Sequence, residues 1–384
     1  MSLEDLAANI DQMTVGLDDT FQFHCTQCGL CCLNREDILL SPMDIFRISK
    51  ELKLTPTKFF AQYCEAYIGD NMVPHPRLAL SSRQFGEHKT ALLIAKEVAM
   101  TVKKKKFIFL SVVAIVLVAL VIWIAWGNTA LELNTYTISS SKLPQSFDGY
   151  RIAHVSDLHN AEMGKDNEKL LAMLRDADPD MIAITGDIID SRNTDIEVAL
   201  QFVREAVKIA PCYYVTGNHE ARVNEYGELK AGMEAAGVTV LEDARTEISM
   251  EGKTITLIGD NDPGYQTDYL FGDSETVMNT KLEDLHTEHD GFTILLSHRP
   301  ELFDTYVDQD IDLVLSGHAH GGQFRLPFIG GLVAPNQGLF PEYDAGIYTE
   351  DNTNMLISRG VGNSILPFRI NNRPEVILIE LQAE

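Results

Sequence analysis

Twenty consecutive residues without a charge, Phe107 to Trp126, constrain this chain more than any other stretch. As an α-helix rising about 1.5 Å per residue they span roughly 30 Å, the hydrocarbon thickness of a bilayer. A buried core helix seldom runs so far without a polar position. Four lysines, Lys103 to Lys106, precede the segment and no comparable cluster follows it. The positive-inside rule then puts the N-terminus in the cytoplasm. Trp123 and Trp126, the only tryptophans, fall at the opposite interface. No small-residue cleavage site follows Trp126 and no twin-arginine precedes the segment, so it reads as an uncleaved single-pass anchor in the cell membrane, with the C-terminal part extracytoplasmic.

Charge is distributed unevenly about this anchor. Residues 1–106 carry 13 basic and 13 acidic side chains, whereas residues 127–384 carry 18 and 43, the whole of the net charge of -25. Such a surface repels polyanions, which argues against nucleic acid as a partner, and attracts divalent cations.

Five of the six cysteines lie ahead of the anchor. Cys25, Cys28, Cys31 and Cys32 place four thiols within eight residues, a set suited to Zn or an iron–sulfur centre. Ser41-Pro42 and Thr55-Pro56 each offer a hydroxyl N-cap with proline at the first helical position, which predicts two helices. Residues 20–75 resemble a zinc- or iron-chelating domain with the hallmark C-x2-C-x2-C-C. That family usually has further cysteines downstream, and after Cys64 none precedes the anchor, so the module reads as truncated. Met100-Thr-Val-Lys103 resembles the beginning of a separate protein, which makes residues 1–99 either a natural fusion or a product of gene prediction, with 76–99 as the joint. The expected organisation is a Cys-cluster segment (1–99), a basic juxtamembrane stretch (100–106), the transmembrane helix (107–126), a linker and first strand (127–149) and one large domain (150–384). Cys212, alone in that domain, cannot form an internal disulfide and reads as a small buried strand residue.

Within the large domain, short apolar runs end repeatedly in metal-binding residue types. Tyr150-Arg-Ile-Ala-His-Val-Ser156 leads to Asp157-Leu158-His159, and Met181-Ile-Ala-Ile-Thr185 leads to Gly186-Asp187-Ile-Ile-Asp190. Cys212-Tyr-Tyr-Val-Thr216 leads to Gly217-Asn218-His219-Glu220, Phe292-Thr-Ile-Leu-Leu296 to Ser297-His298, and Leu313-Val-Leu-Ser316 to Gly317-His318-Ala319-His320. One Asp-x-His is weak evidence, but five strand ends delivering Asp, Asn or His to what can be one edge of a sheet form a ligand set. Helical stretches at 167–177, 196–209 and 228–236 alternate with the strands, which argues βαβ units. Beyond Val238 the texture turns β-rich, with a hairpin around Glu251-Gly252.

Two divalent ions about 3.5 to 4 Å apart need one shared carboxylate and separate ligands on each side. Asp157, His159 and His320 can hold one ion, Asn218, His298 and His318 the other, with Asp187 bridging. Such a centre acidifies a trapped water toward neutrality and supplies hydroxide for attack on a phosphoryl group. His219, beside a ligand, is the candidate to protonate the leaving oxygen or stabilise charge there, with Asp190 orienting its ring. His154 reads as structural, Glu220 as a helix-start acid, and Asp260 and Asp262 as turn formers.

The ordered blocks D-x-H, G-D-x-x-D, G-N-H-[DE], H and G-H-x-H resemble those of the calcineurin-like metallophosphoesterases over residues 150–384. The resemblance implies an α/β fold, a two-sheet β-sandwich flanked by helices, here preceded by one transmembrane helix and a small Cys-rich helical segment. It also implies a binuclear Mn, Fe, Zn or Mg centre with the roles just given. Asp190 is followed by Ser191 rather than by the Arg-Gly pair of the protein phosphatase branch. The anchor followed by Ile152-Ala-His-Val-Ser-Asp-Leu-His is similar to bacterial membrane-anchored members, some thought to act on phospholipid or nucleotide-linked lipid diesters. The expected function is a membrane-anchored metallophosphoesterase cleaving lipid or cell-envelope phosphodiesters. The competing expectations are a tethered sensor or adaptor with a non-catalytic phosphoesterase fold, and a phosphomonoesterase or nucleotide hydrolase.

Overall fold

The computed structural model describes residues 42–68, 74–78, 89–265, 274–286, 291–363 and 366–384. Cys25, Cys28, Cys31 and Cys32 lie outside the described residues. The chain divides into two compact units, Met1–Val116 and Leu117–Glu384. In the first, α1 (Pro42–Glu51) and α2 (Pro56–Tyr63) begin at the two prolines that mark helix starts in the sequence. Thr55 Oγ1 accepts the Lys58 N–H at 3.3 Å, the expected cap. A hairpin of β1 (Cys64–Ile68) and β2 (Pro74–Leu78) follows, where the sequence pattern predicts no strand.

Helix α3 (Lys89–Thr129) is continuous and starts well ahead of the apolar stretch. Lys89 to Met100 is rich in Ala, Leu, Lys and Glu, all good helix formers with no breaker between them, so the helix extends backward through Met100. Within α3, Phe107–Thr129 is long and apolar enough to cross a membrane, and none of it is buried.

The second unit holds two six-stranded sheets. The first is built from β3 (Glu132–Ser140), β4 (Arg151–Val155), β5 (Met181–Thr185), β6 (Cys212–Val215), β7 (Thr239–Val240) and the last strand of the chain. Helices α4 (Glu168–Ala177), α5 (Ile196–Ala206) and α6 (Tyr226–Ala236) connect β4 to β7 in right order for βαβ units. The second sheet is formed by β8 (Ala244–Met250), β9 (Lys253–Gly259), β10 (Thr293–Leu296), β11 (Leu313–Ser316), β16 (Gly346–Glu350) and β17 (Thr353–Ile357). Helices α7 (Ser274–Leu285) and α8 (Phe303–Asp308) flank β10 in sequence. Two short ribbons interrupt the run: β12 (Arg325–Leu326) with β13 (Gly330–Gly331), and β14 (Val333–Ala334) with β15 (Gly338–Leu339). The closing strand β18 (Glu375–Ala383) returns to the first sheet, parallel to β3 and antiparallel to β4.

Side-chain alternation explains the layering. Ile152, Met181, Ala183 and Val215 point from the first sheet into a core shared with Leu257, Ile294, Leu296, Leu313 and Leu315 of the second. Their neighbours Ala153, Ile182 and Ile184 face the other way, onto Leu170, Leu174, Phe202, Val203 and Met233 of α4, α5 and α6. Leu295, Val314 and Met355 likewise face Met278, Leu282 and Tyr306 of α7 and α8. Both faces of each sheet are therefore dry, which is why the strands read as continuous apolar runs rather than alternating ones. The layers are helix, sheet, sheet, helix.

One expectation needs correction. The ligand-bearing ends do not belong to one sheet: β4, β5 and β6 end in the first, β10 and β11 in the second. A fully apolar run carries no signal of which sheet it joins. The ligands gather where the carboxyl ends of both sheets meet.

Candidate metal centre

Each ligand-bearing loop leaves its strand abruptly. Asp157, His159, Asp187, His318 and His320 adopt φ values of 52°, 47°, 50°, 66° and 49°, the left-handed region that non-glycine residues seldom occupy. Such strain persists only where surrounding bonds over-determine it, and it clusters at functional sites. The bonds are visible. Asp157 N–H donates to Gly186 O, His159 N–H to Asp187 O, and Gly362 N–H to Asp157 O at 2.7 Å. Glycine is required at position 217 for a separate reason: a Cβ there would collide with Asp187 Oδ1 and with the Asp187 backbone nitrogen.

The side chains converge as three overlapping groups: one is His159, Asp190 and His219, and the other two share Asp187. The ligand atoms of Asp157, His159, Asp187 and His320 all lie within 4.8 Å of one another, and so do those of Asp187, His298 and His318. These six residues are buried. Asp187 belongs to both of these groups. Its Oδ1 accepts the His219 backbone N–H at 2.7 Å, which turns Oδ2 toward His298 Nε2 at 3.2 Å and His159 Nε2 at 3.6 Å. Asp157 is fixed similarly: Ser156 Oγ donates to its Oδ2 at 2.6 Å, while Oδ1 faces His320 Nε2 at 3.2 Å. His298 Nδ1 donates to Thr185 O at 2.7 Å, leaving Nε2 as the free lone pair in its neutral form.

The donor set fits divalent ions. Two buried carboxylates have only imidazoles as cationic partners within 4.0 Å in their ion pairs, and several ring nitrogens face one another instead of donors. His159 Nε2 meets His320 Nε2 at 3.1 Å, and His298 Nε2 meets His318 Nδ1 at 3.2 Å. The Asn218 carboxamide lies 2.8 Å from His318 Nδ1. Its nitrogen can donate there; turned the other way, its oxygen joins the nitrogen as a second ligand. Were His318 to bind an ion through Nδ1, its ring hydrogen would sit on Nε2, which faces the Arg299 guanidinium at 3.1 Å and Glu301 Oε1 at 3.9 Å.

Electrostatics agree with that fit. Burial opposes the charged form of Asp187, yet His298 and His159 outweigh it and hold the carboxyl well below its usual range. Burial likewise works against a charged His298, but Asp187 carries it up to about 10. Burial holds His320 down at about 3. The cluster thus stabilises positive charge at His159 and His298, between the carboxylates, where a divalent ion would do so more strongly.

His219 and Asp190 lie at the open side. His219 Nδ1 accepts the Ser191 N–H at 2.9 Å, with Asp190 Oδ1 at 3.6 Å, and Nε2 points toward Asp187 Oδ2, 4.0 Å away. Asp190 itself is held by Arg192, through Nε at 2.9 Å and a terminal nitrogen at 2.6 Å.

A family model for calcineurin-like phosphoesterases matches residues 150–322. The metallophosphoesterase YkuE of Bacillus subtilis is 30% identical over 259 residues, covering 66% of this chain and 86% of that protein. This chain is a calcineurin-like metallophosphoesterase. Phosphodiesterase YaeI of Escherichia coli is 27% identical over 60% of this chain and 82% of its own length. A zebrafish transmembrane protein with a metallophosphoesterase domain is 29% identical over 64% of this chain and 56% of its own. The phosphoesterase is a metal-dependent hydrolase whose buried Asp/His cluster can hold metal ions.

Residues outside the proposed ligand set complete the centre of this metallophosphoesterase. Glu220 does open a short 3-10 helix (Glu220–Arg222), as expected, and it is also fully buried and accepts the N–H groups of Gly217 at 2.7 Å and Asp187 at 2.8 Å. It stitches the loops after β5 and β6 together. Asp262, expected to shape a turn, does accept the Gly264 N–H, and it also forms a buried bidentate pair with Arg299. The loop after β17 adds a sixth strand end: Val361 N–H donates to Ser156 O at 3.0 Å, and buried Arg369 donates to the carbonyls of Arg359 and Gly362. Asn372 Nδ2 donates to His320 O at 2.7 Å. Only Glu220, through its adjacency to Asn218-His219, carried a sequence signal; the others depend on long-range contacts. His154, read as structural, sits inside β4 against Thr185 Oγ1 at 2.7 Å.

Proposed function

We propose that this chain is a membrane-anchored, two-metal phosphodiesterase acting on lipid or cell-envelope diesters outside the cytoplasm. The observation that carries the reading is Asp187 Oδ2, which faces His159 of one ligand group and His298 of the other from a buried position. In this assignment Asp157, His159 and His320 hold one ion, Asn218, His298 and His318 hold the second, and Asp187 is shared. Two divalent ions bound there would neutralise the phosphoryl oxygens and acidify the attacking water.

The chain's own groups then set the outcome. A ring nitrogen that accepts a backbone N–H cannot carry a proton, so neutral His219 keeps its hydrogen on Nε2, turned toward the reacting phosphate. Burial holds its pKa down at about 4. His219 is thereby suited to donate a hydrogen bond to developing charge on the leaving oxygen rather than to release a proton outright. Asp190, through its bonds to the Arg192 backbone and guanidinium, holds the turn that presents Ser191 N–H to the ring.

Diester preference is supported by the name of the phosphodiesterase YaeI, and anchoring by the apolar span and the zebrafish transmembrane relative. The Cys25–Cys32 cluster is assigned as a separate Zn or iron–sulfur site in reducing cytosol. The test is hydrolysis of bis-p-nitrophenyl phosphate, p-nitrophenyl phosphate, phospholipids and nucleotides by the purified full chain with Mn, Fe, Zn or Mg. Metal-dependent diester cleavage, abolished by Asp187→Ala and fastest on lipid, is expected; diester inertness with every ion would sink the reading.

A further inference from the structure

The segment that follows the last metal-ligand candidate is conspicuously apolar and uncovered. Five residues past His320, the chain enters the β12–β13 and β14–β15 ribbons, which expose Phe328 at 108% and Ile329 at 63% in the β12–β13 turn, and Leu339 at 70% and Phe340 at 59% at the end of β15. A soluble surface rarely exposes four such large apolar side chains within 13 consecutive residues, 328–340. The stretch is also free of carboxylates in an otherwise acidic domain. No Asp or Glu occurs between His320 and Glu342, nor between Asp351 and Glu375.

The position of this patch identifies its occupant. Asn128, in the last turn of α3, donates to Arg369 O at 2.9 Å and accepts the Arg369 N–H at 2.7 Å. Arg373 reinforces the junction: it donates to Ala130 O at 2.8 Å and lies over the Trp126 ring at 4.9 Å. The next residue after Arg369 receives the ribbon, since Arg325 N–H donates to Ile370 O at 3.0 Å and Phe324 packs on Phe368 at 5.5 Å. Helix end, Arg369–Ile370 and ribbon base are thus one bonded series. The base of the apolar ribbons therefore lies beside the C-terminal end of the membrane-spanning helix, and Asn372 ties the same junction to His320.

We propose that the two ribbons form an apolar foot that enters the bilayer leaflet beside the C-terminal end of α3. The domain then stands on the membrane through two contacts instead of swinging from one, with its metal centre held at the lipid surface. Amphipathic elements that dock this way sink about 5–10 Å, to the boundary of headgroups and acyl chains. This inference rests on the membrane reading of α3 and not on the identity of the substrate.

The experiment uses the full chain in vesicles whose phosphatidylcholine is brominated near the glycerol end of its acyl chains. Because Trp123 and Trp126 are the only tryptophans, their quenching in the unaltered protein reports the helix alone. Phe340→Trp in a Trp123→Phe/Trp126→Phe background reports the foot, and Lys253→Trp in the same background reports the opposite, N-terminal end of β9. Quenching of the Phe340→Trp protein with a blue-shifted emission, and neither change for Lys253→Trp, is expected. If the unaltered protein is quenched while Phe340→Trp behaves like Lys253→Trp, the foot is refuted and the anchor stands. If the unaltered protein is not quenched, the membrane reading falls and takes the foot with it.

Discussion

His159 and His320 bring their Nε2 atoms to 3.1 Å of each other in a buried pocket, although 161 positions separate them. Two neutral imidazoles can share only one hydrogen along that line, and Asp157 and Asp187 lie beside them, so the pair is arranged for a cation rather than for a simple hydrogen bond.

Removing metal should therefore destabilise the domain. A ligand present at a hundred times its dissociation constant contributes about 2.7 kcal/mol. At roughly 2–4 °C per kcal/mol for a domain of this size, chelation lowers Tm by about 5–10 °C. Calorimetry with EDTA, followed by Mn readdition, measures this. An unchanged Tm would falsify the assignment of a resident metal.

His219→Ala should separate chemistry from metal binding. Loss of a group acting on the leaving oxygen costs on the order of 10²-fold in kcat, and more for a poor leaving group. The defect should be large for an alkyl phosphodiester and small for a p-nitrophenyl diester, with metal content unchanged. Equal losses on both substrates would place His219 among the metal-holding residues instead.

Glu220→Gln tests the buried brace between the loops after β5 and β6. The substituted amide can present a donor to the N–H groups of Asp187 and Gly217, which displaces the shared carboxylate. Metal affinity should fall roughly 10–100-fold, the usual effect of losing a group that orients a ligand. Isothermal titration with Mn checks it; wild-type affinity would mean that Glu220 does not position Asp187.

Cys212 supplies a pH dependence independent of the metal centre. Burial pushes its thiol from 9.0 up to about 12. The folded-state value is raised, so this stabilisation is complete below about pH 9 and is lost as pH rises toward 12. Removing the thiol with Cys212→Ala should flatten the decline in stability across that window. Iodoacetamide should also leave Cys212 unmodified in the native protein at pH 8, as peptide mass spectrometry would show.

The sequence by itself determined the list of groups and their local setting. A buried strand must be apolar, and a sharp exit from it must place an unusual residue, so each ligand block announces itself as an apolar run ending in Gly, Asp, Asn or His. The bilayer-length stretch at Phe107 is equally local, because hydrophobic length is a property of consecutive residues. Tertiary structure alone decided the rest. Which sheet each strand joins, why Asp187 turns Oδ2 to both groups, and how Glu220, Arg369 and Asn372 brace the loops all depend on contacts between residues far apart in the chain. Periodicity cannot encode these, since a strand buried on both faces looks the same in either sheet, and a buried hydrogen bond is specified by where two segments meet rather than by either segment.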